Sequence, residues 1–403
     1  MAMPVLILLS LSHFINDRLQ SVIAASYPLL KTELNLTFTQ IGAISLVYQL
    51  ASSVFQPVVG AVYDRRPDPR SIPIGMCFTL TGLLLLAFAR PVWLISAAVF
   101  LVGIGSATLH PEASRITSLA AGERRGFAQS LFQVGGNPGG SLGPLLVAAV
   151  VSVLGRRYIA LFCLISLAGI LCTRPICTWY GHYLEEARDK PRQHTTAARP
   201  PFGPVATAAI ISVLSVLIFS KYIYVASLSN YYTFYMMEKF GIRVTTAQIC
   251  LFVFLFATAA GTLVGGPVGD RIGRKWVIWA SILGTAPFSL LLPDAGFYGT
   301  IVLSFCSGFM IASAFPAILL YAQELLPSHL GMVSGLFFGF AFGVAGAAAA
   351  ILGRYADRYG VIAIYRFCCY TPLLGLVAAF LPDLKKRARL SGPSDENPNN
   401  SVK

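Results

Sequence analysis

Long apolar runs dominate this chain, and short polar gaps punctuate them. A helix needs about 20 mostly apolar residues to cross a bilayer. Twelve stretches reach that length: residues 4–30, 39–63, 71–89, 91–119, 124–154, 157–183, 203–237, 245–269, 275–293, 296–325, 329–353 and 361–382. The longest break, 184–202, opens with Leu184-Glu185-Glu186-Ala187-Arg188-Asp189-Lys190 and is rich in charge and proline. It predicts a linker. The expected architecture is an all-α membrane protein of twelve transmembrane helices in two pseudo-symmetric six-helix bundles. The bundles would occupy 1–183 and 203–384, with a linker at 184–202 and a tail at 385–403. The first run, Pro4 to Leu30, is expected to be a retained helix. No basic residue precedes Val5, and no small-x-small cleavage site follows the run.

Composition narrows the class. Charged residues make up 12% of the 403 positions and hydrophobic residues 56%, about half the charge of an average soluble chain. Water-soluble enzymes are thereby excluded. The net charge of +13 sits in short loops and the tail, so it is no nucleic-acid footprint. Lys and Arg number seventeen in one set of loops and the tail against eight in the opposite loops. That bias predicts a cytoplasmic side holding both termini. The eight cysteines fall mostly in apolar runs, with no C-x-x-C pair and no histidine at metal spacing. They read as packing residues, and neither metal nor cofactor is expected.

One run is written twice. Gly266-Pro267-Val268-Gly269-Asp270-Arg271-Ile272-Gly273-Arg274-Lys275 matches Gly60-Ala61-Val62-Tyr63-Asp64-Arg65-Arg66 at an offset of 206. Gly103, Ala107, Pro111 and Gly126 recur as Gly308, Ala312, Pro316 and Gly331 at an offset of 205. A halved membrane protein with matching loops points to a transporter built from repeats. The pattern G-x-x-x-D-R-x-G-R-K resembles the signature loop of the major facilitator superfamily. The second copy matches in full; the first has Pro67-Asp68-Pro69-Arg70 in place of Gly-Arg-Lys. Rocking of the two bundles about a midplane site is expected, with Gly60, Asp64, Arg65, Gly266, Asp270, Arg271, Gly273 and Arg274 of the signature loops in gating roles, joined by Arg115 through its i,i+3 spacing from Glu112.

Equivalent positions share a packing task, so differences between the halves point to chemistry. His110 aligns with Phe315, Glu112 with Ala317, Arg115 with Leu320, Gln133 with Phe338 and Asn137 with Phe342. A cavity with one polar and one apolar wall is expected. The first span adds His13, Asn16, Asp17, Arg18 and Gln20. Such charges cost at least about 2.5–3.5 kcal/mol each at membrane depth and must face a cavity or partners. Asp17 is the first choice for the proton carrier, because desolvation favours the neutral form of a carboxylic acid. The alternative is a structural pair with Arg18 or Lys221. His110 and Glu112 are further proton-coupling candidates. His110 could equally be a packing histidine, and Glu112 with Arg115 a gate-side salt bridge. Lys221, 204 residues after Asp17, could hold an anion or compete for Asp17; the alternative is a lysine snorkelling to the interface. The substrate-lining set is His13, Asn16, Gln20, Gln49, His110, Gln133, Asn137, Lys221 and Tyr222.

Several runs together look like one branch of the superfamily, the fosmidomycin resistance proteins. They include Ser12-His13-Phe14-Ile15-Asn16-Asp17, Gln56-Pro57-Val58-Val59-Gly60, His110-Pro111-Glu112 and Gln129-Ser130-Leu131-Phe132-Gln133-Val134-Gly135-Gly136-Asn137. Similarity is densest from about residue 12 to 145. The resemblance implies proton-driven export of the phosphonate fosmidomycin across the bacterial inner membrane. Expected partners are a small anionic substrate, protons and the lipid bilayer, with no nucleic acid, around a monomer. The alternatives are a transporter of a physiological small organic anion and a non-transporting sensor on the same fold. No nucleophile–base constellation supports an enzyme.

Overall fold

The computed structural model describes residues 1–36, 38–189, 202–242 and 244–384. Among these residues the chain forms helices and turns, with no strand. Twelve membrane-length units follow in order. The first six are α1 (Met3–Leu34), α2 (Phe38–Arg65), α3 (Ser71–Phe88), α4 (Val92–Ala120), α5 (Arg125–Leu146) and α6 (Arg156–Arg188). The second six are α7 (Pro204–Phe240), α8 (Val244–Ile272), α9 (Arg274–Asp294), α10 (Phe297–Leu325), α11 (Leu330–Tyr359) and α12 (Val361–Phe380). Regular helix continues to Asp189, so residues 184–189, assigned to the linker from sequence, extend α6. Residues 190–201 and the tail 385–403 lie outside the described residues.

Among the described residues, ten of the twelve units are long and apolar enough to cross a membrane by length and composition. The other two are α1 and α5, which carry the polar residues of the first span and six glycines respectively. These two pack on each other. A Cβ on Gly135, Gly139 or Gly143 would come closer than 3.0 Å to Ser10, Phe14 or Ser21. Only glycine lets the backbones approach so far.

The two sets of six meet through α2 on α11 and α5 on α8. Both crossings are glycine on glycine at the end that carries the signature loops. A Cβ on Gly60 would clash with Gly331, and one on Gly266 with Gly126. The offset maps one crossing onto the other. Away from this closed end the sets are separated by cavities.

Proline shapes one wall of the interior. α10 is broken at Ser313 into Phe297–Ala312 and Ala314–Leu325. Pro316 has no N–H to return to Ala312, four residues back, so that carbonyl loses its helical donor. The Lys221 ammonium supplies one instead, at 3.3 Å.

Candidate functional site

At the centre of the molecule Asp17 sits between two imidazoles. His13 Nε2 lies 3.1 Å from Asp17 Oδ2, one turn along α1. His110 Nε2 reaches across from α4 to 3.3 Å from Oδ1, without forming a hydrogen bond there. The Nδ1 of His13 is 2.8 Å from the Phe132 carbonyl, and that of His110 is 2.9 Å from the Ser106 carbonyl. A carbonyl only accepts, so both Nδ1 atoms carry hydrogen and both Nε2 atoms face the carboxylate. That orientation lets protons sit between the three groups. Phe132 stacks on His13 with centroids 4.2 Å apart. Phe338 and Phe342 each lie 5.3 Å from the His110 ring. The imidazoles are buried, while Asp17 keeps 21% of its side chain exposed. The three ligating groups are also close enough to hold a metal ion.

Asn16 donates to Asp17 Oδ1 at 3.3 Å, and Thr79 donates to Asn16. Gln20 accepts from Tyr48 at 2.7 Å. Asp17 therefore pairs with histidines and not with Arg18 or Lys221. His13, Asp17, Gln133 and Asn137 of the first half line one side of a cavity of 90 Å³, and Lys221, Tyr222, Phe315, Phe338 and Phe342 of the second half line the other. Gln49 stands elsewhere, where α2 packs on Gly346 of α11.

Lys221 is buried. Besides the Ala312 carbonyl it meets the faces of Tyr222 and Phe315, at 5.3 and 5.4 Å. Among the described residues no carboxylate comes within ion-pair distance of it. An ammonium has three donors, and one is used.

Glu112 and Arg115 form a separate unit on α4. Arg115 donates to both Glu112 oxygens at 3.0 Å and also bonds Tyr180. Glu112 is fully buried, and Arg115 Nε lies 4.0 Å from Asp64. The Asp64 carboxylate accepts from the Gly331 and Met332 amides at 2.9 and 2.8 Å, at the start of α11. Asp270 does the same to Gly126 and Phe127 at 2.9 and 3.1 Å, at the start of α5. A carboxylate there meets unsatisfied N–H groups and the positive end of a helix dipole. Arg274 pairs with Asp270 at 2.7 Å. The loop arginines Arg65 and Arg271 are exposed, and Gly273 turns the chain at φ 102°.

Sequence reasoning missed a buried polar knot at the closed end. Ser118 donates to Gln323 at 2.6 Å; Gln323 donates to Ser334 at 2.8 Å and to Ser114 at 3.4 Å. Ser114 bonds Gln129 at 3.3 Å. Ser118 and Gln323 are equivalents at offset 205, as are Gln129 and Ser334. Polar residues at matching positions in apolar runs were the available signal.

Comparison with known proteins adds the following. The family model described as Major Facilitator Superfamily matches residues 9–235 and 214–403. The fosmidomycin resistance protein of Escherichia coli K12 is 54% identical over 376 residues, 93% of this chain and 92% of that protein. An uncharacterised MFS-type transporter of Bacillus subtilis, YfnC, is 39% identical, with 95% of this chain and 94% of that protein covered. Among solved structures, FucP in the outward conformation matches with a TM-score of 0.68 at 17% identity, covering 93% of this chain and 98% of that one.

Proposed function

The chain belongs to the major facilitator superfamily, in the branch of the fosmidomycin resistance protein, and from that premise we propose that it is a proton-coupled exporter of small organic anions, phosphonates such as fosmidomycin first among them. Membership makes it a multi-pass membrane transporter of a small molecule and not an enzyme. Proton coupling, antiport, substrate, sidedness and a monomeric state are our reading.

The observation that carries the reading is the shared cavity of Asp17 and Lys221. One wall offers a carboxylate flanked by two proton-bearing rings. The other offers a buried ammonium without a carboxylate counter-ion. A phosphonate bound at Lys221 would stand near Asp17, so the charge on the triad and the charge on the anion would act on each other, and exchange requires that the site hold proton or anion but not both. Proton and anion thereby act on one electrostatic site from opposite sides.

The Lys and Arg bias assigns the signature-loop end to the cytoplasm. In that orientation both termini are inside and this conformation is open outward, ready to release anion and take up protons. Bundles 1–183 and 203–384 would rock about the midplane site, connected by 184–202. Asp64 and Asp270 would hold the cytoplasmic end shut by gripping the opposite bundle's helix starts. His110 belongs to the proton site in this reading. Glu112 acts at the gate with Arg115, since both its oxygens are committed.

The test is fosmidomycin uptake into inverted membrane vesicles with an imposed proton gradient, acid inside, comparing wild type with Asp17→Asn and Lys221→Gln at matched abundance. Gradient-driven transport that disappears in Asp17→Asn, with substrate affinity lost in Lys221→Gln, is the expected result. Transport by Asp17→Asn that still follows the gradient would sink Asp17 as the coupling group. No fosmidomycin transport by well-expressed wild type would turn the search to a physiological organic anion.

A further inference from the structure

A second, larger cavity of 550 Å³ opens from Lys221 and Tyr222. It shares Asn137, Thr262 and Ala312 with the smaller one, then runs outward between α5 and the pair α7–α8. Its walls change character along the way. Val225 and Ala259 stand on opposite helices, followed by Phe254, Leu255 and Phe256. Ser229 marks the outer limit on α7. From Lys221 to Ser229 the helix rises about 12 Å. The volume is in the range that encloses an organic ligand of drug size. A compact phosphonate at Lys221 would leave this apolar stretch unused.

We propose that this cleft takes the hydrocarbon portion of an amphipathic organic anion whose head group sits at Lys221. The inference rests on the reading of Lys221 as the anion site and widens its substrate class from compact anions to anions with a single apolar tail. The geometry carries it through two features. The one cation stands at the inner end, where it is buried and keeps donors to spare. The apolar wall stands only on the outward side of that cation, so head and tail have one orientation. A tail of about 12 Å, close to an octyl chain, would reach Ser229.

The experiment is isothermal titration of the full chain in phosphatidylcholine nanodiscs with methyl-, butyl- and octylphosphonate, empty discs being subtracted. Affinity is expected to rise about three- to fourfold per methylene until the cleft is full. Ala259→Trp and, separately, Val225→Phe put rings into the cleft and are expected to flatten the series; methylphosphonate binding reports that each variant is folded. A flat series in wild type, with binding that still needs Lys221, overturns the proposal and leaves the Lys221 reading intact. A rising series that survives Lys221→Gln overturns the head-group assignment instead. Loss of the octylphosphonate signal when phosphatidylglycerol is added to the disc would make a membrane lipid the occupant and overturn a free solute.

Discussion

The two halves of this chain agree at the closed end and disagree in the interior. At the closed end Asp64 grips the start of α11 through two backbone amides, and Asp270 grips the start of α5 through two more. Gly60 crosses Gly331 as Gly266 crosses Gly126. In the interior His110 faces Phe338 and Phe342 from the other half, at equal ring distances of 5.3 Å. The symmetric features set one aspartate of each half against backbone amides and glycine crossings. The asymmetric features set polar or titratable side chains of one half against aromatic rings of the other.

The bracing of the two clamps is the exception. Asp270 has Arg274 at 2.7 Å, whereas Asp64 has Arg115 only at 4.0 Å, because Arg115 is committed to the buried Glu112. The largest effect should come from breaking that commitment. Arg115→Leu leaves a buried carboxylate unpaired and is expected to cost about 3–5 kcal/mol, read as thermal unfolding in detergent. Glu112→Ala with Arg115→Leu copies Ala317 and Leu320 of the other half and should recover most of the loss. A single variant as stable as the double would show that Glu112 needs no partner.

Gly60→Val and Gly266→Val come next and should behave alike. Each drives a side chain into the facing backbone, at roughly 1–3 kcal/mol against the closed end. A cysteine placed at Ser118, in the knot between the bundles, should then react faster with a membrane-impermeant thiol reagent in either background. Unequal rates would break the symmetry of the two crossings.

Asp64→Asn and Asp270→Asn keep an acceptor but remove the charge at a helix start, worth up to about 2 kcal/mol. Turnover should fall more than substrate affinity, and Arg274→Gln should reproduce only the Asp270 effect. Matched losses of affinity and rate would count against a gating role. The smallest stability effect is expected for His110→Leu, about 0.5–1.5 kcal/mol for the lost hydrogen bond to the Ser106 carbonyl, because Asp17 keeps His13 and Asn16 as partners. Transport in that variant should lose its dependence on external pH; an unchanged pH profile would remove His110 from the coupling site.

Much of this was legible because a bilayer makes strict demands. Apolar runs of fixed length gave twelve spans, since unpaired backbone polar groups cannot face lipid. The repeat gave the pseudo-symmetry, and the mismatches within it pointed to His110, Gln133 and Asn137. Helix 7 shows where legibility stopped. Tyr222, Tyr224, Tyr232 and Tyr235 look equivalent along the run, yet Tyr222 lines the cavity while Tyr232 bonds Ser304 at 2.8 Å and Tyr235 stacks on Tyr365 at 4.0 Å. Gln49, expected in the substrate-lining set, lies where α2 packs on Gly346 of α11.

The sequence by itself determined the number of spans, the paired signature loops, the polar and apolar walls and the branch of the superfamily, because each depends on local hydropathy or on residue identity at a fixed offset. Only the tertiary structure decided that Asp17 faces two histidines and not a cation, that Arg115 is committed to Glu112 and Tyr180, and which end is closed. Those outcomes depend on distances between helices far apart in the chain. They depend also on single absent donors, as at Pro316, whose missing N–H leaves the Ala312 carbonyl to Lys221.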